Sequence, residues 1–260
     1  MGRRATAWRH GWDYLVGAAW AVNIGLLLAA FGWIYCFGQS RETIELMRYQ
    51  IGAPRAGSGI VVRDASRLSS GVTLGIAASV VAAGAAVFML VSLFAGGSRF
   101  RTTRWWLVFT AVVCGWLGLA MSWPAIYWLG QQQRVKRSLP AAEAMVTKLR
   151  SGWPTEDAAL PDIGPFLAYP TDRPTALLPL SNATLPNSGL RFSAVERTGD
   201  DVMRFELGGP EQGAWLEWRG DGREPVEFVG GLETKYVVTK AARLGADWFL
   251  VRYRAAGLAE

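Results

Sequence analysis

The sequence predicts a membrane α-helical protein with three transmembrane helices, joined to a C-terminal α+β domain that is mainly an antiparallel β-meander. Three observations carry this. Three long apolar runs contain no charged residue. Charge is divided along the chain: residues 1–139 hold 14 Lys/Arg against 4 Asp/Glu, and residues 140–260 hold 13 against 17. From Gly189 onward, short alternating segments are separated by tight-turn residues.

Residues 1–13 form a basic tail with Arg3, Arg4 and Arg9. The first run, residues 14–38, is about twice a secretory h-region and is followed by no small-residue cleavage site, so it reads as a retained helix. The second run covers residues 71–97 and the third residues 105–130. Each exceeds the ~20 residues that cross a hydrocarbon core. Trp12, Tyr14, Trp33 and Tyr35 flank the first run, and Trp105, Trp106, Trp123, Tyr127 and Trp128 bracket the third. Such amphipathic rings favour the membrane–water interface.

Residues 39–70 form a connecting loop, broken by Gly52, Pro54, Gly57 and Gly59. Residues 98–104 form a short basic loop with Arg99, Arg101 and Arg104. With three spans, this loop and the N-terminal tail share a side, and the positive-inside rule makes it cytoplasmic. The expected location is a bacterial cytoplasmic (inner) membrane, with the N-terminus cytoplasmic and the C-terminal domain extracytoplasmic. The bacterial source is read from the excess of arginine over lysine and the abundance of alanine and glycine.

Residues 131–152 are expected to hold a juxtamembrane helix, about Pro140 to Arg150. Ala142, Met145, Val146 and Leu149 form its apolar face, and Gly152 and Pro154 end it. Residues 153–260 make up a proline-rich wrap and a β-rich domain. The prolines between 154 and 186 exclude a long helix and a central strand, leaving extended coil with short edge strands. Its anchors are expected at Phe166, Leu167, Tyr169, Leu177, Leu178 and Leu180. The strands that follow are Leu190–Arg197, Val202–Leu207, Ala214–Arg219, Val226–Val229, Lys235–Arg243 and Trp248–Arg254. One face would hold Phe192, Met203, Phe205, Leu207, Leu216, Trp218, Phe228, Phe249 and Val251.

Chemistry is sparse. His10 is the only histidine, and Cys36 and Cys114 lie in apolar runs. The later domain therefore has no His-based triad, no thiol and no His-containing zinc site. No phosphate loop or dinucleotide fingerprint occurs, and no cofactor or metal is called for. The carboxylate pairs are Asp200-Asp201, read as a hairpin turn, and Glu156-Asp157. Glu217 and Glu227 would be the pair brought together if their strands were neighbours, the geometry a glycosidase reading requires. Arg219-Gly220-Asp221 spells an adhesion tripeptide and Asn182-Ala183-Thr184 a glycosylation sequon; both short matches read as chance.

The second run has small residues at every fourth position, Gly71, Gly75, Ser79 and Ala83. The third pairs Ala111 with Gly115 and Gly118 with Ser122. Such faces let helix backbones approach closely. Asn23 is expected to hydrogen-bond a neighbouring helix. With no ionisable group inside a run, a solute pathway is poorly supported. Trp215 and Trp218 lie on opposite faces of one strand, which would leave one exposed as a binding anchor. The expected function is that of a non-enzymatic accessory or scaffold subunit. Its partners would be the lipid bilayer and a protein, or a second copy through the spans, and not nucleic acid, because the later domain is acidic. The rivals are a membrane-anchored sensor whose β-domain binds a small ligand, and last a carboxylate-dependent enzyme.

Overall fold

The computed structural model describes residues 2–37, 80–88, 90–91, 103–231 and 234–256. The chain divides into two compact units, Met1–Trp128 and Leu129–Glu260.

The first unit holds helix α1 (Gly2–Cys36), residues 80–88, which are helical, and most of helix α2 (Thr103–Arg137). Two segments, Gly17–Cys36 and Trp106–Arg137, are long and apolar enough to cross a membrane by length and composition, each with mean hydropathy 1.7. These are two such helices rather than the three expected. The run at 71–97 lies outside the described residues except at 80–88 and 90–91. Trp20 and Val112 form a small buried cluster, against which Ala19, Ala86, Phe88, Val108, Phe109 and Trp116 pack. Asn23 is fully buried. It donates to the Ala19 carbonyl at 3.2 Å and accepts from the Trp116 indole N–H at 3.3 Å, which joins α1 to α2.

In the second unit α2 runs on to Arg137, beyond the apolar stretch, and breaks at Ser138. Pro140 has no N–H to donate and its ring would clash one turn back, so a new helix, α3 (Leu139–Ser151), begins instead. It buries Ala142, Met145, Val146 and Leu149. Ser138 stands at the N-cap, but its side chain makes no capping hydrogen bond.

Ten antiparallel strands follow: β1 (Ala158–Leu160), β2 (Gly164–Tyr169), β3 (Ala176–Pro179), β4 (Ala183–Thr184), β5 (Arg191–Thr198), β6 (Val202–Gly208), β7 (Trp215–Arg219), β8 (Phe228–Val229), β9 (Lys235–Arg243) and β10 (Trp248–Ala255). Their order is β1-β2-β3-β5-β6-β7-β10-β9-β8, with β4 beside β5. Two expectations are corrected here. The proline-rich segment supplies strands within the sheet, because β2 pairs on both sides and β3 lies between β2 and β5. Its prolines stand near strand ends, at Pro165 and Pro179, where a missing donor costs least. The meander also stops at β7. The chain crosses to the far edge and returns through β8, β9 and β10, placing β10 beside β7 in Greek-key order.

Register sorts the side chains onto two faces. On one, Phe192, Val195, Met203, Phe205, Leu216, Trp218, Trp248 and Leu250 are buried. A bulge at Ser193 lets Phe192 and Val195, three apart, share that face. The helices dock on it. Trp248 Nε1–H donates to Glu143 Oε2 at 2.7 Å, and the Arg150 guanidinium lies 4.7 Å from the Trp218 ring centre. Arg134 meets both oxygens of Glu211, at 2.6 and 3.3 Å, and Gln131 Nε2 donates to the Glu211 carbonyl at 3.2 Å. Phe249 and Val251, expected on this face, are opposite Glu217 and Trp215 on the other. Phe228 also belongs to the other face, against Trp215 and Tyr253.

Candidate functional site

The second face carries charge where a two-layer domain usually meets solvent. Cross-strand pairing lines up Glu196 (β5), Arg204 (β6), Glu217 (β7) and Phe249 (β10). Arg204 and Glu217 are almost completely buried. Arg204 Nε donates to Glu217 Oε2 at 3.2 Å and Nη1 to Thr198 Oγ1 at 2.7 Å, and its guanidinium stacks 4.0 Å from the Phe228 ring centre. Glu217 Oε1 accepts from Arg219 Nη1 at 3.0 Å, and Oε2 accepts from the Tyr253 hydroxyl. Arg219 in turn holds Asp221 through Nε and Nη2, at 3.1 and 3.2 Å. The first carboxylate accepts from three side chains and the second closes the chain. A buried charge is tolerable when it is paired and hydrogen-bonded in this way.

The electrostatics follow the same geometry. Hydrogen bonding from Arg219 lowers the Asp221 carboxyl below its ordinary range. Burial raises Glu196 and Glu206, with hydrogen bonds from the Gly231 backbone and Ser193 acting against it. Burial, then the negative charge of Glu217, raises the Tyr253 phenol.

Aromatic rings of Trp215, Phe228, Tyr236 and Tyr253 pack beside this network, with centres 4.9–6.3 Å apart. The connection from β8 to β9 then covers it. A Cβ on Gly230 would come 2.9 Å from Glu196 Oε1, and one on Gly231 would come 2.7 Å from the Ala176 Cβ. Glycine is needed at both because the backbone approaches so closely.

Beyond β3 no described residue covers this face. Leu167 pairs with Leu178 across β2 and β3, Tyr169 follows on the same face, and the Leu180 N–H donates to the Pro165 carbonyl. Leu167 is 46% exposed, Tyr169 40% and Leu180 66%. Of the six anchors expected in the proline-rich segment, only Phe166 and Leu177 are fully buried.

No family model, curated protein or solved structure matches this chain.

The residues singled out from the sequence fall as follows. Gly71, Gly75 and Ser79 lie outside the described residues. Ala83 is exposed, while its neighbour Ala82 is buried. Gly115 does sit at a close approach, since an added Cβ would lie 3.1 Å from Leu27 Cδ2 of α1. Gly118 has open space beside it, and the exposed Ser122 donates to the Gly118 carbonyl within its own helix. Trp215 and Trp218 do point to opposite faces, but both are buried, so neither is an exposed anchor. The sheet is covered on both sides at β7, by α3 over Trp218 and by the rings of Phe228, Tyr236 and Tyr253 against Trp215.

Glu217 and Glu227 are not brought together. β10, not β8, lies next to β7, and Glu227 pairs with Lys235 at 3.1 Å. In the Arg219-Gly220-Asp221 tripeptide the arginine is buried and spends its charge on Glu217 and Asp221. Asp200 pairs with Arg197 at the hairpin, and Asp157 Oδ1 accepts from the Ala168 N–H at 2.8 Å. Among the described residues, no three His, Cys, Asp or Glu side chains converge on a metal position. The Arg204–Glu217–Arg219 network was not foreseen. Its signal was present as charges at alternate positions in two apolar strands, a pattern that ordinarily marks a solvent face.

Proposed function

We propose that this protein is a non-enzymatic accessory or scaffold subunit of a bacterial cytoplasmic membrane, whose β-rich domain binds another protein. The reading includes a third span at residues 71–97, a cytoplasmic N-terminus and an extracytoplasmic C-terminal domain. Membrane insertion is supported by the large apolar side chains that α1 and α2 leave outside the protein, Leu28, Phe31, Leu117 and Met121 among them. In water such surface is costly, and in lipid it is not.

The observation that carries the interaction role is the apolar face of β2 and β3, which no described residue covers. A sheet face with Leu167, Tyr169 and Leu180 exposed together is the kind of patch that marks a protein contact. The charged groups beside it satisfy one another, which supports a structural duty for them over a catalytic one. This moves the proposed contact from Trp215 and Trp218 to β2 and β3.

The experiment is co-purification of the full chain from its native membrane, comparing wild type with Leu167→Asp/Leu180→Asp. Wild type is expected to hold a stoichiometric protein partner that the double variant loses while remaining folded and membrane-bound. Equal recovery with both proteins, or no stoichiometric partner with wild type, overturns the reading.

A further inference from the structure

A cleft of about 500 Å³ runs along α3, with the helix on one side and the turn at residues 186–188 on the other. Its lining combines an apolar floor, including Ala141, Ala144 and Met145, with the polar groups of Arg137, Lys148 and Asn187. Lys148 is already matched, with Nζ 2.6 Å from Asp162 Oδ2. Arg137 differs: it is exposed and makes no hydrogen bond or ion pair among the described residues. Asn187 is held in the left-handed region at φ 58° and contributes a neutral amide.

Position narrows the ligand. Arg137 follows Gly130, the end of the apolar stretch, by seven residues of continuous helix, or roughly 10 Å at ~1.5 Å per residue. A head-group layer is roughly 5–8 Å deep on each side of the hydrocarbon. If α2 spans the bilayer, the Arg137 backbone therefore lies a few ångström beyond the lipid head groups, within reach of a phosphate through its long side chain. A free, fully hydrated anion gains nothing from alanine and methionine. A phospholipid head uses both: its phosphate pairs the cation, and the C–H surface of its glycerol carbons lies on the apolar floor.

We infer that this cleft binds the head group of an anionic membrane phospholipid, with Arg137 pairing the phosphate and the face of α3 taking the glycerol. The inference rests on the membrane reading above. It names a second contact of the domain, separate from the β2–β3 face.

The test is native mass spectrometry of the full chain in mild detergent, titrated with phosphatidylglycerol or phosphatidylcholine. Wild type should retain phosphatidylglycerol about fivefold better, the worth of one cation at a membrane surface. Arg137→Gln and Ala144→Trp, which fills the cleft, should each remove that preference. Lys136→Gln should keep it, because Lys136 is exposed and does not line the cleft. Equal retention of the two lipids by wild type overturns the inference, and so does an Arg137→Gln protein that behaves as wild type. Loss in Lys136→Gln equal to that in Arg137→Gln also overturns it, since any nearby cation would then suffice. Displacement of the lipid by millimolar inorganic phosphate reassigns the site to free phosphate and overturns it as stated. Alkaline carbonate extraction of the same protein separates the two readings. A chain that stays with the membrane but shows no preference sinks this inference alone, and a chain that is extracted sinks the membrane reading.

Discussion

Glu217→Ala should be among the most damaging single changes in the β-rich domain. The side chain has no solvent exposure and accepts hydrogen bonds from Arg204, Arg219 and Tyr253. Its removal strands the Arg204 guanidinium, which is 2% exposed and has no other carboxylate partner among the described residues, whereas Arg219 keeps Asp221. Breaking a buried ion pair by deleting one partner costs about 3–5 kcal/mol, because the remaining charge is left without compensation. For a unit of this size, each kcal/mol moves Tm by about 3–4 °C, so the transition should fall by roughly 10–20 °C. Glu227→Ala is the internal reference. Glu227 also pairs with a cation, Lys235 at 3.1 Å, but both side chains are more than half exposed, so its loss should cost about 0–1 kcal/mol. The assay is near-UV circular dichroism of the purified full chain during heating, in which four of the thirteen tryptophans, Trp153, Trp215, Trp218 and Trp248, report on the domain and the two variants share the signal of the other nine. If Glu217→Ala melts within a degree or two of Glu227→Ala, the buried network does not hold the domain together, and the reasoning from burial fails.

Four further outcomes follow. Burial raises Glu196 and Glu206 above the ordinary value of 4.5, so the folded state holds their protons more tightly than the unfolded state does. Stability should therefore gain from these groups as pH falls from neutral toward 4.5, and Glu196→Gln/Glu206→Gln should flatten that part of the Tm profile. Asp221 has the opposite sign: its lowered carboxyl favours folding above 3.8, and that gain is lost only as pH falls below it. Asp221→Asn should alter the acid limb alone. Gly115→Ile should separate α1 from α2 at Leu27 and lower thermal stability in detergent by about 1 kcal/mol, whereas Gly118→Ile, with open space beside it, should not. Fusion of alkaline phosphatase to Glu260 should be active and a cytoplasm-only reporter silent; the reverse pattern would refute the proposed orientation.

The sequence alone determined the features that depend on neighbours a few residues away. The uncharged stretches within α1 and α2 follow from composition. The buried face of α3 follows from Ala142, Met145, Val146 and Leu149 at helical spacing, and Pro140 announces a helix start. The segments β5 to β10 could be located from alternation and turn residues, because each strand and its turn are written locally. Tertiary structure decided what those segments meet. Nothing within Trp215–Arg219 specifies that β10, and not β8, will lie beside it, since both candidates carry β-forming residues and both connections are short enough. That choice separates Glu217 from Glu227, places Tyr253 on Glu217, and buries Trp215 and Trp218 alike. The interior charges were hidden for the same reason. Alternate polar residues in a strand mean solvent when one face is bare, and only the fold shows that the glycines at 230 and 231 bring another part of the chain over them. Conversely, Leu167, Tyr169 and Leu180 look like core anchors in a linear reading. They are exposed because the described part of the β8–β9 connection, Gly230 and Gly231, lies over Glu196 and Ala176 and not over these three residues.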